Sequence, residues 1–203
     1  SKLKGKSTPE RLQTMAKLSA CVDKCNQFAM NEAVNAVLEF ESLRIGEDHK
    51  THKVPLRPIV VGGDDVTILI RADLSALFTL KYVKAFEQKT KELNEGKALS
   101  LGVAIVVASS SYPFAKAFTL AESVLDSAKT CTATGYGSYE NRPSSIDYLV
   151  VTNDVEYDIE DIRKHLYTAT DGSLLTAKPF VINRDGKNET LRFEYVIADG
   201  IKV

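Results

Sequence analysis

An α+β fold, with helices packed on one face of a mainly antiparallel sheet, is predicted by three features of this 203-residue chain. Apolar residues recur at helical spacing through three long stretches. Two β-branched runs, Ile59-Val60-Val61 and Val66-Thr67-Ile68-Leu69-Ile70, are joined by Gly62-Gly63-Asp64-Asp65, which reads as a hairpin. A continuous apolar run, Leu99 to Ala108, follows the second helical stretch and predicts a strand.

The elements follow in order. Ser7-Thr8-Pro9-Glu10 is a helix start: a hydroxyl cap, a proline in the first turn and an acid at the positive end of the dipole. Leu12, Met15, Ser19, Val22, Cys25 and Ala29, continued by Val34, Val37 and Leu38, trace one helical stripe to about Leu43. Residues 46–58 are polar and carry prolines, so a loop is predicted before the hairpin. Asp73 is expected to cap a second helix, which buries Leu74, Leu77, Leu80, Tyr82, Val83 and Phe86 and runs to Gly96. Leu99 to Ala108 should be a central strand. Pro113 opens a third helix, with Phe114, Ala117, Phe118, Ala121, Val124, Leu125 and Ala128 on one face. A loop is predicted from Thr132 to Ser145, a strand from Ile146 to Val151 and a short helix around Ile159, Ile162, Leu166 and Tyr167. Short strands are expected beyond Asp171, around Asn183-Arg184-Asp185-Gly186. Residues 1–153 then form one domain and 154–203 a C-terminal extension.

Composition narrows the function. A hydrophobic share of 44% suits a folded soluble protein. A formal net charge of -1 supplies no broad field for nucleic acid, so intrinsic binding to it should be weak and local. No apolar run approaches a membrane span and no signal-peptide pattern opens the chain. Cys21, Cys25 and Cys131 are odd in number and scattered, which fits a reducing cytoplasm. Cys21 and Cys25 stand one helical turn apart and read as packing residues. The sequon Asn188-Glu189-Thr190 carries no weight without a secretion signal.

The hairpin is where the chain looks built for chemistry. Its tip lifts two adjacent carboxylates, Asp64 and Asp65, beside two residues with no side chain. Carboxylates supply the hard oxygen ligands that Mg²⁺ prefers, and glycines let a nucleotide approach the backbone. Neighbouring residues on a strand face opposite ways, so both carboxylates reach one ion only if the turn rotates them.

Three blocks resemble GGDEF-like palm nucleotidyl cyclases in order and spacing. They are Arg57-Pro58-Ile59-Val60-Val61-Gly62-Gly63-Asp64-Asp65, Leu99-Ser100-Leu101-Gly102-Val103-Ala104, and Ala121-Glu122-Ser123-Val124-Leu125-Asp126-Ser127-Ala128-Lys129. The GGDD form, with Tyr112-Pro113-Phe114, is closer to the large subunit of type III CRISPR effector complexes, whose palm makes cyclic oligoadenylates from ATP. The resemblance covers roughly Pro9 to Val151. It implies a ferredoxin-like palm, with Asp64 and Asp65 holding Mg²⁺ or Mn²⁺ against the triphosphate of ATP. It further implies that Gly62 and Gly63 make room for ribose and base, and that Lys129 meets the β- and γ-phosphates. Other effector subunits with guide RNA are the implied partners.

The first palm strand, which carries the family's other metal carboxylate, has no counterpart before Ser7, so little turnover is expected from this chain alone. Two alternatives stand beside the ATP reading: a non-catalytic palm serving as a scaffold, and a GGDEF-type dinucleotide cyclase. The latter is disfavoured by Val66 where that branch has an aromatic residue.

Other polar features have blander readings. Lys129 could equally answer a helix dipole. His49 and His52, with Asp48, lie in a polar loop beside Lys50 and Lys53. His165 should be a surface residue. The acidic run Asp154 to Asp161 reads as a solvated face, and Lys2, Lys4 and Lys6 as a basic lead-in. Tyr136 and Tyr139 sit in a loop where they could stack on a base.

Overall fold

The structure is a computed structural model that describes residues 7–45, 54–135, 142–151, 159–173, 175–176 and 178–182. The basic lead-in, the His49/His52 loop, Tyr136 and Tyr139, most of the acidic run, the boundary near 153 and the tail from 183 lie outside the described residues. Two compact units are formed, Ser1–Leu99 and Ser100–Val203.

The first unit holds α1 (Thr8–Ile45), β1 (Leu56–Gly62), β2 (Asp65–Ile70) and α2 (Ala72–Leu93). Helix α1 opens with a capping box: the Ser7 amide and hydroxyl both donate to Glu10 Oε2, each at 2.8 Å. Its buried face is Cys25, Ala29, Ala33, Val37 and Glu41, at four-residue steps, with Asn26 beside Cys25, and α1 packs against α2. The earlier part of the expected stripe is not buried, since Leu12 is 65% exposed and Met15 57%. Length explains this. At 38 residues α1 is about 57 Å long, whereas the 22 residues of α2 span about 33 Å, so α2 covers only part of it.

Helix α2 buries Leu74, Phe78, Tyr82, Val83 and Phe86. The rings of Phe78, Tyr82 and Phe86 stack in a row, with centroids 5.9 and 6.5 Å apart. Each of these side chains contributes about 1.5–3 kcal/mol by leaving water, so this row anchors the unit. Asp73 does not cap the helix. Arg71 occupies the cap position without a side-chain cap bond, and Asp73 sits in the first turn, where it suits the dipole and accepts from the Arg71 guanidinium. The helix ends through left-handed Glu95 and Gly96, whose amide donates to Lys91 O at 3.0 Å.

The second unit holds β3 (Gly102–Val107), α3 (Phe114–Gly135), β4 (Ser144–Val150), α4 (Ile159–Leu166) and β5 (Phe180–Ile182). Its sheet order is β3-β4-β5, with β3 parallel and β5 antiparallel to β4. The apolar density of Leu99–Ala108 predicts a central strand, whereas among the described residues β3 lies at an edge of this sheet and is half-buried. The central strand is β4, paired on both sides and the most buried of the three. Helix α3 packs on β3 and β4 and continues six residues past Lys129, through part of the expected loop. Val124, Leu149, Ile159 and Ile162 form its apolar core, flanked by Ala104, Val106 and Leu120.

The architecture is α+β and palm-like, with antiparallel β1–β2 and β4–β5 pairs and one parallel pair. No helix of the described residues is long and apolar enough to cross a membrane.

Candidate nucleotide and metal site

Strands β1 and β2 pair antiparallel from Leu56↔Ile70 to Gly62↔Asp65, leaving Gly63-Asp64 as a two-residue loop. Gly63 has φ +59°, and positive φ falls on it and not on Asp64, as in a type II′ turn with glycine first. The register shifts between Pro58 and Val60. Proline donates no ladder hydrogen bond, so an edge-strand irregularity is where it fits, and the added twist helps set the direction of the tip.

The hairpin is fastened to α1 at both ends. At its base, Arg71 donates two bonds to Glu41, at 2.8 and 2.6 Å, and its amide donates to Pro55 O. The bidentate contact, with Asp73 alongside, holds the Arg71 guanidinium protonated well beyond its ordinary range. At the tip, the Gly63 amide donates to Asp23 Oδ1 at 2.9 Å and Asn26 Nδ2 donates to Gly63 O at 2.6 Å. The spans agree. From Asp23 to Glu41 is 18 residues, about 27 Å of helix. From Gly63 to Arg71 is 8 residues, about 26 Å of strand.

Asp64 stands in the turn and Asp65 begins β2; both are exposed. They are not simply successive strand residues, so the alternation that would set them on opposite faces applies only to Asp65. A Cβ placed at Gly62 or Gly63 would meet nothing within 4 Å, so the space beside the turn is open. Among the described residues, no three His, Cys, Asp or Glu side chains converge as a metal cluster. The donor set therefore fits an ion that brings most of its ligands with it. Magnesium commonly binds in this way, through one or two carboxylates plus substrate phosphates and water.

Lys129 belongs to the second unit. It is exposed on α3, and a Cβ at Gly102 would lie 2.8 Å from its Cγ and 3.5 Å from its Cε. The lysine stem thus crosses β3 where a side chain is missing. Gly62, Gly63, Asp64 and Asp65 are brought together on one turn, and Lys129 and Gly102 are brought together in the other unit.

The sequence alone points to no role beside the turn for Asp23, Asn26 or Tyr82, and to no contact between Gly102 and Lys129. Asn26 carried a signal, since it is a polar residue between Cys25 and Ala29 on the apolar stripe of α1 and must find partners there. His165 is exposed on α4, as expected.

The family model for Cas10/Cmr2, second palm domain, matches residues 2–135. The chain belongs to this family. It is the palm of the large subunit of type III CRISPR effector complexes, so this second palm is a component of such a complex. The match takes in the hairpin, the Gly102 strand and the Lys129 helix, and ends before β4. No curated protein sequence matches the chain.

Proposed function

We propose that this second palm binds ATP with Mg²⁺ or Mn²⁺ at the Gly62–Asp65 turn and, within its effector complex, takes part in nucleotidyl transfer that yields cyclic oligoadenylates. The observation that carries the reading is the turn itself: two exposed carboxylates beside an open space, on a backbone fixed at both ends of its hairpin. Asp64 and Asp65 would hold the cation. When bound, the cation supplies charge neutralisation on the transferring phosphoryl group and activation of the attacking hydroxyl. Gly62 and Gly63 leave room for ribose and base. Lys129 is a compact point charge of the kind that meets phosphate, and its stem is lodged over Gly102 of its own unit.

Titration calorimetry of ATP with Mn²⁺ tests this. The Asp64→Ala/Asp65→Ala double variant is expected to bind at least about tenfold more weakly than the wild type, the loss of a charge-assisted contact. Equal affinity would remove the turn from the site. A scaffold role is the second reading, favoured by the exposed apolar row Leu12, Met15 and Leu18 on α1. It predicts no measurable ATP·Mn²⁺ binding by either protein.

A further inference from the structure

We infer that Asp23 and Asn26 of α1, backed by Tyr82 of α2, are positioning residues that set the backbone of the Gly62–Asp65 turn and so the arrangement of its two carboxylates. The part that concerns metal and nucleotide rests on the reading above; the clamp itself does not.

A two-residue hairpin loop leaves polar backbone groups that the ladder cannot serve. Here both groups of Gly63 are served by side chains 37 and 40 residues away in sequence. Asp23 and Asn26 are three residues apart and so share one face of α1. Asp23 accepts from the Gly63 amide, and Asn26 donates to the Gly63 carbonyl.

The direction of the Asn26 amide is itself fixed. Tyr82 donates its hydroxyl proton to Asn26 Oδ1 at 2.8 Å, which leaves Nδ2 to face Gly63. Asn26 is 3% exposed and Tyr82 7%, so water does not compete for the bond between them. Burial also pushes the Tyr82 phenol well above its ordinary range, so it remains a donor at all working pH values.

A hairpin that needed only anchoring could be held by apolar contacts along its strands. Instead β1 is exposed over six of its seven residues, and the polar clamp grips the one left-handed residue of the turn. The neighbouring Asp64 and Asp65 take their directions from that residue. Asp23 spends one oxygen on the Gly63 amide, which ties its carboxylate to the turn backbone.

The test combines amide NMR of the ¹⁵N-labelled chain without metal and calorimetry with ATP and Mn²⁺. Asp23→Ala should move the Gly63 amide resonance upfield, speed its exchange with solvent, and weaken ATP·Mn²⁺ binding about tenfold, the size of one hydrogen bond to a charged group. Asp23→Asn keeps an acceptor oxygen and should restore both readouts towards the wild type, which a general loss of stability would not allow. Tyr82→Phe should weaken binding less, since it only frees the Asn26 amide to turn. An unmoved Gly63 resonance in Asp23→Ala overturns the clamp. A moved resonance with wild-type affinity overturns the positioning role. A wild type that fails to bind ATP·Mn²⁺ sinks the nucleotide reading instead, and the Gly63 resonance still decides whether Asp23 holds the turn.

Discussion

The hairpin turn of the first unit and the middle of β4 in the second both present aspartates, and they use them in opposite ways. Asp147 on β4 is fully buried. Its Oδ2 accepts from Arg163 of α4, its Oδ1 accepts from the Tyr148 amide at 2.8 Å, and Arg163 also donates to Ser127 of α3 at 2.5 Å. That carboxylate is consumed in joining a strand to two helices. Asp64 and Asp65 are exposed, and neither has a protein partner among the described residues. At the turn the stabilising contacts have moved from the carboxylates to the backbone of Gly63. A buried, satisfied acid builds the fold, whereas an exposed acid on a fixed backbone is left open to solvent, as the proposed cation site requires.

The largest expected effect follows directly. Asp147→Ala leaves Arg163 without its anion, and breaking such a buried pair costs about 3–5 kcal/mol. Arg163 is 22% exposed, which places the loss near the lower end. Urea unfolding should register it as a large fall in midpoint. The Asp64→Ala/Asp65→Ala protein should stay within about 0.5 kcal/mol of the wild type in the same measurement. If the two variants lose similar stability, the contrast between a structural and a presented carboxylate fails.

The glycines sharpen the same contrast at a smaller scale. An alanine methyl at Gly102 would sit 2.8 Å from Lys129 Cγ, so the lysine stem or the strand must shift. Overpacking of this kind costs about 1–3 kcal/mol. Gly62→Ala meets open space and normal backbone angles, so its effect should stay within about 0.5 kcal/mol. Thermal unfolding of the two proteins separates them. Equal midpoints would mean that Gly102 does nothing for the packing of Lys129.

What could be read from the sequence divides along the same physical line. Local chemistry was sufficient for the hairpin, because Gly-Gly-Asp-Asp between β-branched runs specifies a turn from adjacent residues alone. The start of α1 was likewise legible in Ser7 to Glu10. Long-range pairing was not. The apolar density of Leu99 to Ala108 marks a strand but cannot say that β4, with its serines and buried Asp147, takes the centre. Periodicity placed Leu12 and Met15 on a stripe but carried no information about how far α2 reaches. The clamp on Gly63 joins residues some forty apart, so only Asn26, a polar residue on an apolar face, hinted at it. Lys129 and Gly102 were both in view as parts of separate blocks, but not their contact.

The smallest effect concerns the thiols. Cys25, buried between α1 and α2, is pushed up to about 11 by burial and by neighbouring Cys21, from an ordinary value near 9. Cys131 in the second unit is also raised by burial, with Asp147 adding to the shift and Arg163 opposing it. Well below pH 9 Cys25 is protonated in both folded and unfolded chains and contributes no pH dependence. Between pH 9 and about 11 the unfolded chain gives up the Cys25 proton while the folded chain keeps it, so stability falls as pH rises. Cys25→Ala should therefore flatten this alkaline decline in denaturant midpoints, at the cost of a uniform loss from the smaller side chain. Cys131→Ala should flatten it in the same direction, since burial raises that thiol as well. A decline of unchanged slope in Cys25→Ala would show that the thiol is not held protonated by the α1–α2 packing, and that the first unit is looser around Cys25 than its buried face implies.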